Sequence, residues 1–289
     1  MIDPTLTSKE QQTLVFLHIP KTAGTTLHLI IERQYNPGNI VTIHTSVENA
    51  QQISRLQNLP STQKQKIKVI KGHTFYGWHQ LMPQPCIYFT LLRNPVERFI
   101  SNYYFMLKTE GHVLGQQLLK QKVTLEDFVS WTGEDNYQTR FLAKNIGEAD
   151  LDIRESECTR ATLERAKKNL RKNFAVVGTV EEFDTTLLLL KKTFGWKNVF
   201  YKVKNKNKQR PSNSLISQET LSLIEEKNQL DLELYQYATE ILQTLVKNQD
   251  KSFEKEVKDF HDLNHTSFGQ FSALMSSSLS KVQKIITLN

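Results

Sequence analysis

The chain has 289 residues, 37 Lys and Arg against 30 Asp and Glu, and 38% hydrophobic and 23% charged residues. That composition excludes disorder and a collagen-like fibre and is that of a globular protein with one large α/β domain or two small ones. No apolar run approaches the roughly 18 residues of a membrane span, and Met1 to Gln12 is too polar for a secretory signal. The reading is therefore of a soluble protein. Its two cysteines, Cys86 and Cys158, cannot build a disulfide framework, and neither has close Cys or His partners for a metal, so a reducing compartment fits. The surplus of positive charge suits an anionic ligand or surface. Residues 163–210 alone hold 13 Lys and Arg against 4 Asp and Glu, so an anion dock or a solvated basic face is expected there.

Thr13 to His18 (TLVFLH) is short, apolar and rich in strand formers. It runs into Pro20 and Gly24 and then a helical pattern through Leu27, Ile30 and Ile31. Further strands are predicted at Ile67 to Ile70, Cys86 to Leu92, Phe174 to Val180 and Val199 to Val203, and helices at Val96 to Leu107, Leu125 to Trp131, Tyr137 to Ala143, Ala161 to Leu170 and Phe183 to Phe194. Nearly continuous apolar strands alternating with helices predict an α/β fold, a three-layer sandwich with a central parallel sheet and right-handed crossovers. Lys204 to Ser214 reads as an exposed basic loop. Ser217 caps a following helix, and another runs from Asp231 to Lys247. The division expected is a domain over 1–250 and a helical extension or tail over 251–289, with Leu274, Leu279, Val282, Ile285 and Ile286 at roughly helical spacing.

Between the first strand and its helix lies Ile19 to Thr26 (IPKTAGTT), where backbone N–H groups and the helix dipole face a bound anion. Ala23 and Gly24 allow close backbone approach, Thr25 and Thr26 add hydroxyls, and Lys21 adds a mobile charge. The spacing is not that of the nucleoside-triphosphatase loop, whose lysine follows the last glycine, so the Mg²⁺-binding position is unspecified. An ordinary strand-to-helix turn with Thr25 as a cap is the plain alternative.

A second anion motif, Leu91 to Phe105 (LLRNPVERFISNYYF), follows a buried strand and opens a helix, with Arg93 at the strand end and Ser101 two turns on. That is the carboxyl edge of a parallel sheet, where ligands of open α/β folds bind, and an Arg fork suits a phosphate dianion. Read alone, R-N-P is a helix N-terminus with an early proline, and Glu97 and Arg98 are surface charges.

Phe16 to Thr26 (FLHIPKTAGTT) resembles the phosphosulfate loop of the sulfotransferases that use 3'-phosphoadenosine 5'-phosphosulfate, in particular their carbohydrate-modifying, Golgi-type branch and its bacterial relatives. The resemblance covers about residues 13–215 and implies a P-loop-like nucleotide-binding fold. It implies that Lys21, Thr22, Ala23, Gly24, Thr25 and Thr26 contact the 5'-phosphosulfate, with Lys21 near the bridging oxygen. Arg93 and Ser101, eight positions apart and followed by Tyr103 and Tyr104, match the family's 3'-phosphate motif. Arg210, with Lys208 close by in sequence, falls where relatives close a basic loop over that phosphate. The family's proposed base lies in a G-H-x-x-[FY] segment between the two motifs, and His73 in Gly72-His-Thr-Phe-Tyr76 stands there. Lys71 occupies the place where some relatives carry a second histidine. Softer matches make Thr179 and Phe183 adenine contacts, equally readable as a capped helix with Phe183 in the core, and Gln138 and Arg140 acceptor contacts, for which a surface helix is the plainer reading.

The sequence thus implies a metal-independent transfer of a sulfuryl group to a hydroxyl, on a carbohydrate, glycan or small alcohol, with His73 as base and Lys21 offsetting charge on the leaving phosphate. His44 and His79 are weaker candidates for the base, and His18 is expected to orient the loop. Two rivals stand beside it, an ATP-dependent phosphotransferase and a module that binds anionic polymers without catalysis; specific nucleic-acid binding is not expected. Lacking an anchor, the chain reads as cytoplasmic and bacterial, and its oligomeric state is open.

Overall fold

A computed structural model describes residues 12–44, 46–130, 134–148, 153–154, 157–202 and 215–266. Five strands form one parallel sheet in the order β2-β3-β1-β4-β5, with β1 Thr13–Leu17, β2 Ile40–Ile43, β3 Val69–Gly72, β4 Cys86–Leu92 and β5 Phe174–Thr179. The helices are α1 Gly24–Gln34, α2 Ser46–Asn58, α3 Ser61–Lys64, α4 Pro95–Lys108, α5 Val113–Gln121, α6 Leu125–Val129, α7 Tyr137–Ala143, α8 Arg160–Asn173, α9 Phe183–Phe194, α10 Gln218–Lys227, α11 Gln229–Lys247 and α12 Phe253–Asn264. None of these helices is long and apolar enough to cross a membrane.

Alternation along the central strand separates the layers. Val15 and Leu17 of β1 face a core shared with Leu56 of α2, Phe141 of α7, Leu163 and Leu170 of α8, and Leu234 of α11. Leu14 and Phe16 face the opposite core, with Leu27 and Ile30 of α1, Leu187 to Leu190 of α9, and Phe253 and Phe260 of α12. The expected three-layer α/β sandwich is therefore present. A third core lies among helices alone, where Phe99 and Tyr103 of α4 pack on Leu118 of α5, Phe128 of α6 and Ile224 of α10.

The strand expected at Val199 to Val203 is absent over its described residues, 199–202. Its backbone is bonded to side chains instead of to a strand: Arg33 Nη2 donates to the Phe200 carbonyl at 2.7 Å, and the Tyr201 N–H donates to Asn264 Oδ1 at 2.9 Å. Just upstream, Gln34 Nε2 donates to the Asn198 carbonyl at 3.0 Å. The fifth strand is β2, a half-buried edge strand following the Pro37–Asn39 turn. The expected loop from Lys204 to Ser214 and the periodic tail from Leu274 to Ile286 lie outside the described residues.

The basic stretch is partly neutralised where it is described. On α8, Lys167 pairs with Glu233 at 2.6 Å and Arg165 with Glu148 at 3.3 Å, while on α9 Lys192 pairs with Glu256 at 3.0 Å. The C-terminal end of α8 leads directly into β5, which puts Arg171 and Lys172 at the amino edge of the sheet, opposite the edge described next.

Candidate active site

The strand order makes β1 and β4 neighbours whose chains leave for opposite sides of the sheet, α1 toward β2 and α4 toward β5. The crevice between their carboxyl ends is the switch point at which open α/β sheets bind ligands. Register sets what meets there. Phe16 pairs with Phe89, and Thr90 Oγ1 donates to the Leu17 carbonyl at 2.7 Å, so Leu91 and Leu92 carry β4 beyond the end of β1. Arg93 is thereby delivered over the first loop, where its Nη1 donates to the Lys21 carbonyl at 3.3 Å.

The first loop is built from backbone. Lys21 and Ala23 take positive φ, 73° and 61°, a conformation side chains disfavour and one that turns successive N–H groups toward a common point. No side chain caps α1, whose first turn, Gly24 to Thr26, opens on that point. Thr25 is exposed and Thr26 half-buried. Thr22, expected among the phosphosulfate contacts, has a fully buried side chain whose hydroxyl donates to the Ile19 carbonyl at 2.8 Å, so that side chain holds the turn together. Gly24 cannot be replaced in place: a Cβ there would lie 1.8 Å from His18 Nε2.

Lys21 Nζ sits 3.7 Å above the Phe105 ring on α4. Burial, together with the cations of Arg93 and Arg98, brings Lys21 down to about 8. Glu97, Ser101 and Phe105 follow at intervals of four on α4 and share one face. Arg93 Nη2 pairs with Glu97 at 3.2 Å at one end of that face and Lys21 meets Phe105 at the other, with Ser101 between them.

Three readings of side chains on α4 and α7 are corrected. Gln138 is fully buried and makes no surface for an acceptor; its Oε1 accepts the Arg93 N–H at 2.9 Å and its Nε2 donates to the Arg93 carbonyl at 2.8 Å. Arg140, 7% exposed, is bound to Asp135 at 2.9 Å. Fully buried Asp231 of α11 accepts the N–H groups of Gln138 and Thr139 at 3.0 and 2.7 Å, anchoring the first turn of α7. Nor is Arg98 a surface charge: it is fully buried, 4.8 Å from the Tyr137 ring centroid, and donates to the Glu134 carbonyl.

His73 follows β3 at the same edge. Its N–H donates to the Ile43 carbonyl at 2.9 Å, its carbonyl accepts from Asn49 Nδ2 of α2 at 2.6 Å, and Gly72 before it has φ 128° with no room for a Cβ beside the Ile43 carbonyl. His73 Nδ1 lies 3.0 Å from the His18 carbonyl. A carbonyl only accepts, so Nδ1 carries the proton and Nε2 keeps its lone pair, the tautomer a base requires. Burial lowers His73 below the usual imidazole range, the bond to the His18 carbonyl opposes that, and His44 and Lys21 lower it further. His79 is hydrogen-bonded to Tyr88, well back along β4, and His44 is exposed with its N–H on Glu48.

His18 was expected to orient the loop, and its ring edge does lie against Gly24. Register also stacks it on His73, with centroids 4.6 Å apart, because Phe16 pairs with Lys71 and the next residues on that face are His18 and His73. A histidine pair exists after all, supplied by β1 and not by the Lys71 position. Sequence reasoning missed His28 and Glu32 altogether and gave Lys71 and Gln138 none of the structural parts they play here; the one available signal was a polar pair, His28 and Glu32, one turn apart beside the apolar stripe of α1.

Of the softer matches, Thr179 is buried with its hydroxyl accepting from Glu182 N–H, and Phe183 packs edge-on against Tyr201 at 4.9 Å. Arg210 and Lys208 lie outside the described residues.

The chain is 24% identical over 273 residues to heparan sulfate 2-O-sulfotransferase 1 of Homo sapiens, covering 83% of this chain and 73% of that protein. To uronyl 2-sulfotransferase of Homo sapiens it is 25% identical over 243 residues, 70% of this chain and 55% of the other. To heparan-sulfate 6-O-sulfotransferase 1 of Cricetulus griseus it is 31% identical over 184 residues, 56% and 45% of the two chains. All three are animal proteins and lend no support to the expectation of a bacterial, cytoplasmic enzyme. A model of the galactose-3-O-sulfotransferase family matches residues 2–268, and the chain belongs to that family of carbohydrate sulfotransferases.

Proposed function

We propose that this sulfotransferase takes its sulfuryl group from 3'-phosphoadenosine 5'-phosphosulfate and delivers it to a hydroxyl of a glycan. One observation carries the donor assignment: the Arg93 guanidinium reaches the Lys21 turn at 3.3 Å, so two anion-binding elements share one crevice, as a nucleotide charged at both ends requires. The residues present fit such a group. An uncapped helix N-terminus, two left-handed residues and a glycine without space for a side chain suit the phosphosulfate end, and Arg93 with Ser101 suits the 3'-phosphate.

When bound, the donor supplies an activated sulfuryl group on a phosphate leaving group. The chain supplies the rest. Backbone N–H groups of Ala23 to Thr26, with the hydroxyls of Thr25 and Thr26, would hold the anionic oxygens. Thr22 serves by shaping the turn. Lys21 would leave the Phe105 ring for the phosphate oxygen on which charge develops, and Arg210 would join Arg93 at the 3'-phosphate. His73 Nε2 would accept the proton of the acceptor hydroxyl, while Nδ1–H on the His18 carbonyl steadies the imidazolium.

The acceptor class rests on the relatives, two of which are named for heparan sulfate and one for uronyl groups, and on the galactose of the family description. The test is transfer of labelled sulfate from the donor to galactose-terminated oligosaccharides, uronate-containing polysaccharides and simple alcohols, with and without a chelator. Chelator-resistant labelling of a saccharide supports the proposal. Mg²⁺-dependent transfer of labelled phosphate from ATP, with none of sulfate, would replace the donor, and sulfate labelling of alcohols alone would replace the acceptor.

A further inference from the structure

Beneath the loop lies a line of polar side chains that the reaction above does not use. Lys71 of β3 is 1% exposed, and its Nζ lies 2.9 Å from Glu32 Oε1 and 2.9 Å from His28 Nδ1, both on α1. His28 Nε2 lies 3.1 Å from His18 Nδ1. His18 then touches both halves of the site, with its ring edge against Gly24 and its face 4.6 Å from that of His73. Apolar side chains of similar volume would fill this space without the desolvation that an ion pair suffers.

The first member dictates the direction of every bond in the line. An ammonium paired with a carboxylate only donates, so His28 Nδ1 accepts and its proton sits on Nε2. That N–H donates to His18 Nδ1, which leaves the proton of His18 on Nε2, at the edge beside Gly24. We propose that Lys71 is a positioning residue for sulfuryl transfer: through His28 it fixes His18 in one tautomer and one orientation, and His18 in turn supports the Gly24 turn and the His73 ring. This rests on His73 and the Lys21 loop being the reacting centre.

The line has one alternative donor, which makes the proposal testable. The groups facing His28 are Lys71 from β3, Glu32 on its own helix, His18 after β1, and His44 and His73 from the loops after β2 and β3. Burial brings His28 to about 3, with Lys71, His73 and His44 lowering it and Glu32 opposing them. With Lys71→Met, Glu32 faces His28 without an intervening ammonium. A protonated His28 then donates to Glu32 from Nδ1 and to His18 from Nε2, restoring the original directions. The variant should regain its activity as the pH falls, whereas mere loss of packing would cost the same at every pH.

The experiment compares kcat of wild type and Lys71→Met from about pH 8 to about pH 6, across the ordinary histidine range. We expect the variant to be about tenfold slower at the upper end and within about twofold at the lower, and Lys71→Met/Glu32→Gln to stay slow throughout. His28→Gln, which offers one acceptor and one donor, should keep most of the activity, and His28→Leu should lose about tenfold. A pH-independent deficit in Lys71→Met, or equal rates for the two His28 variants, overturns the proposal. If Lys71→Met does not fold, the His28 pair decides. Proton–nitrogen spectra of the wild type read the tautomers without any reaction: Nε2-protonated His18 and His28 are expected, and an Nδ1-protonated His18 overturns the line itself. The expected tautomers in a protein that moves no sulfate would sink the donor assignment and leave the line standing.

Discussion

The turns after β1 and β4 meet in one crevice but, on the proposed function, would hold an anion in different ways. The Lys21 turn relies on main chain, with two left-handed residues, a buried threonine locking it from within and a glycine pressed on an imidazole. The Arg93 turn relies on a side chain, whose backbone is gripped on both sides by Gln138 and whose guanidinium shares Glu97 and the Lys21 carbonyl. A main-chain site fails when atoms are added, and a side-chain site fails when atoms are removed.

Gly24→Ala should therefore have the largest effect, because the new methyl meets the His18 ring 1.8 Å away. We expect a loss of about 100-fold or more in affinity for adenosine 3',5'-bisphosphate by calorimetry; wild-type affinity would mean that the turn can yield and that the contrast is false. Arg93→Ala should come next, with about 100-fold lower kcat/KM for the donor, as expected for a charge-assisted contact. Its loss should be much smaller for adenosine 5'-phosphosulfate, which has no 3'-phosphate, and an equal loss on both donors would place Arg93 elsewhere on the ligand. Gln138→Leu removes the grip but keeps the guanidinium, so donor KM should rise about tenfold with kcat nearly unchanged. A fall in kcat instead would tie Gln138 to the transfer step.

The smallest effect is on stability. His18, His28 and His73 are all held below the ordinary imidazole range, chiefly by burial. Between their unfolded values, about 6.5, and these lower folded ones, the unfolded chain binds more protons, so stability is full above about pH 6.5 and falls as the pH drops. The slope is at most about 1.4 kcal/mol per pH unit for each histidine. Melting at about pH 7 and about pH 5 should show a lower midpoint in acid, and His28→Gln should flatten the difference.

Much of this crevice was legible in sequence, since strand, loop and helix signals lie together there. Cys86–Leu92, Tyr137–Ala143 and Phe183–Phe194 appear with the expected bounds because apolar runs and turn residues delimit them. The short edge strand β2 was not recognised, since Ile40–Ile43 is half-buried and too brief for a pattern. Val199 to Val203 has strand composition but spends its described backbone bonds on side chains, those of Arg33 and Asn264 on distant helices and that of nearby Asn198. Gln138 and Lys71 share that difficulty. Their partners lie 45 residues away for Gln138 and 39 and 43 for Lys71, so only sheet register and helix packing reveal what these polar residues hold.

β4 outruns β1, and the ladder between them acts as a ruler for the distance between the two charged turns. The loops that would meet the acceptor are free to vary in length without altering that distance. Exchanging acceptor-side segments between relatives should therefore yield hybrid enzymes that change the sugar they modify and keep the same sulfate donor.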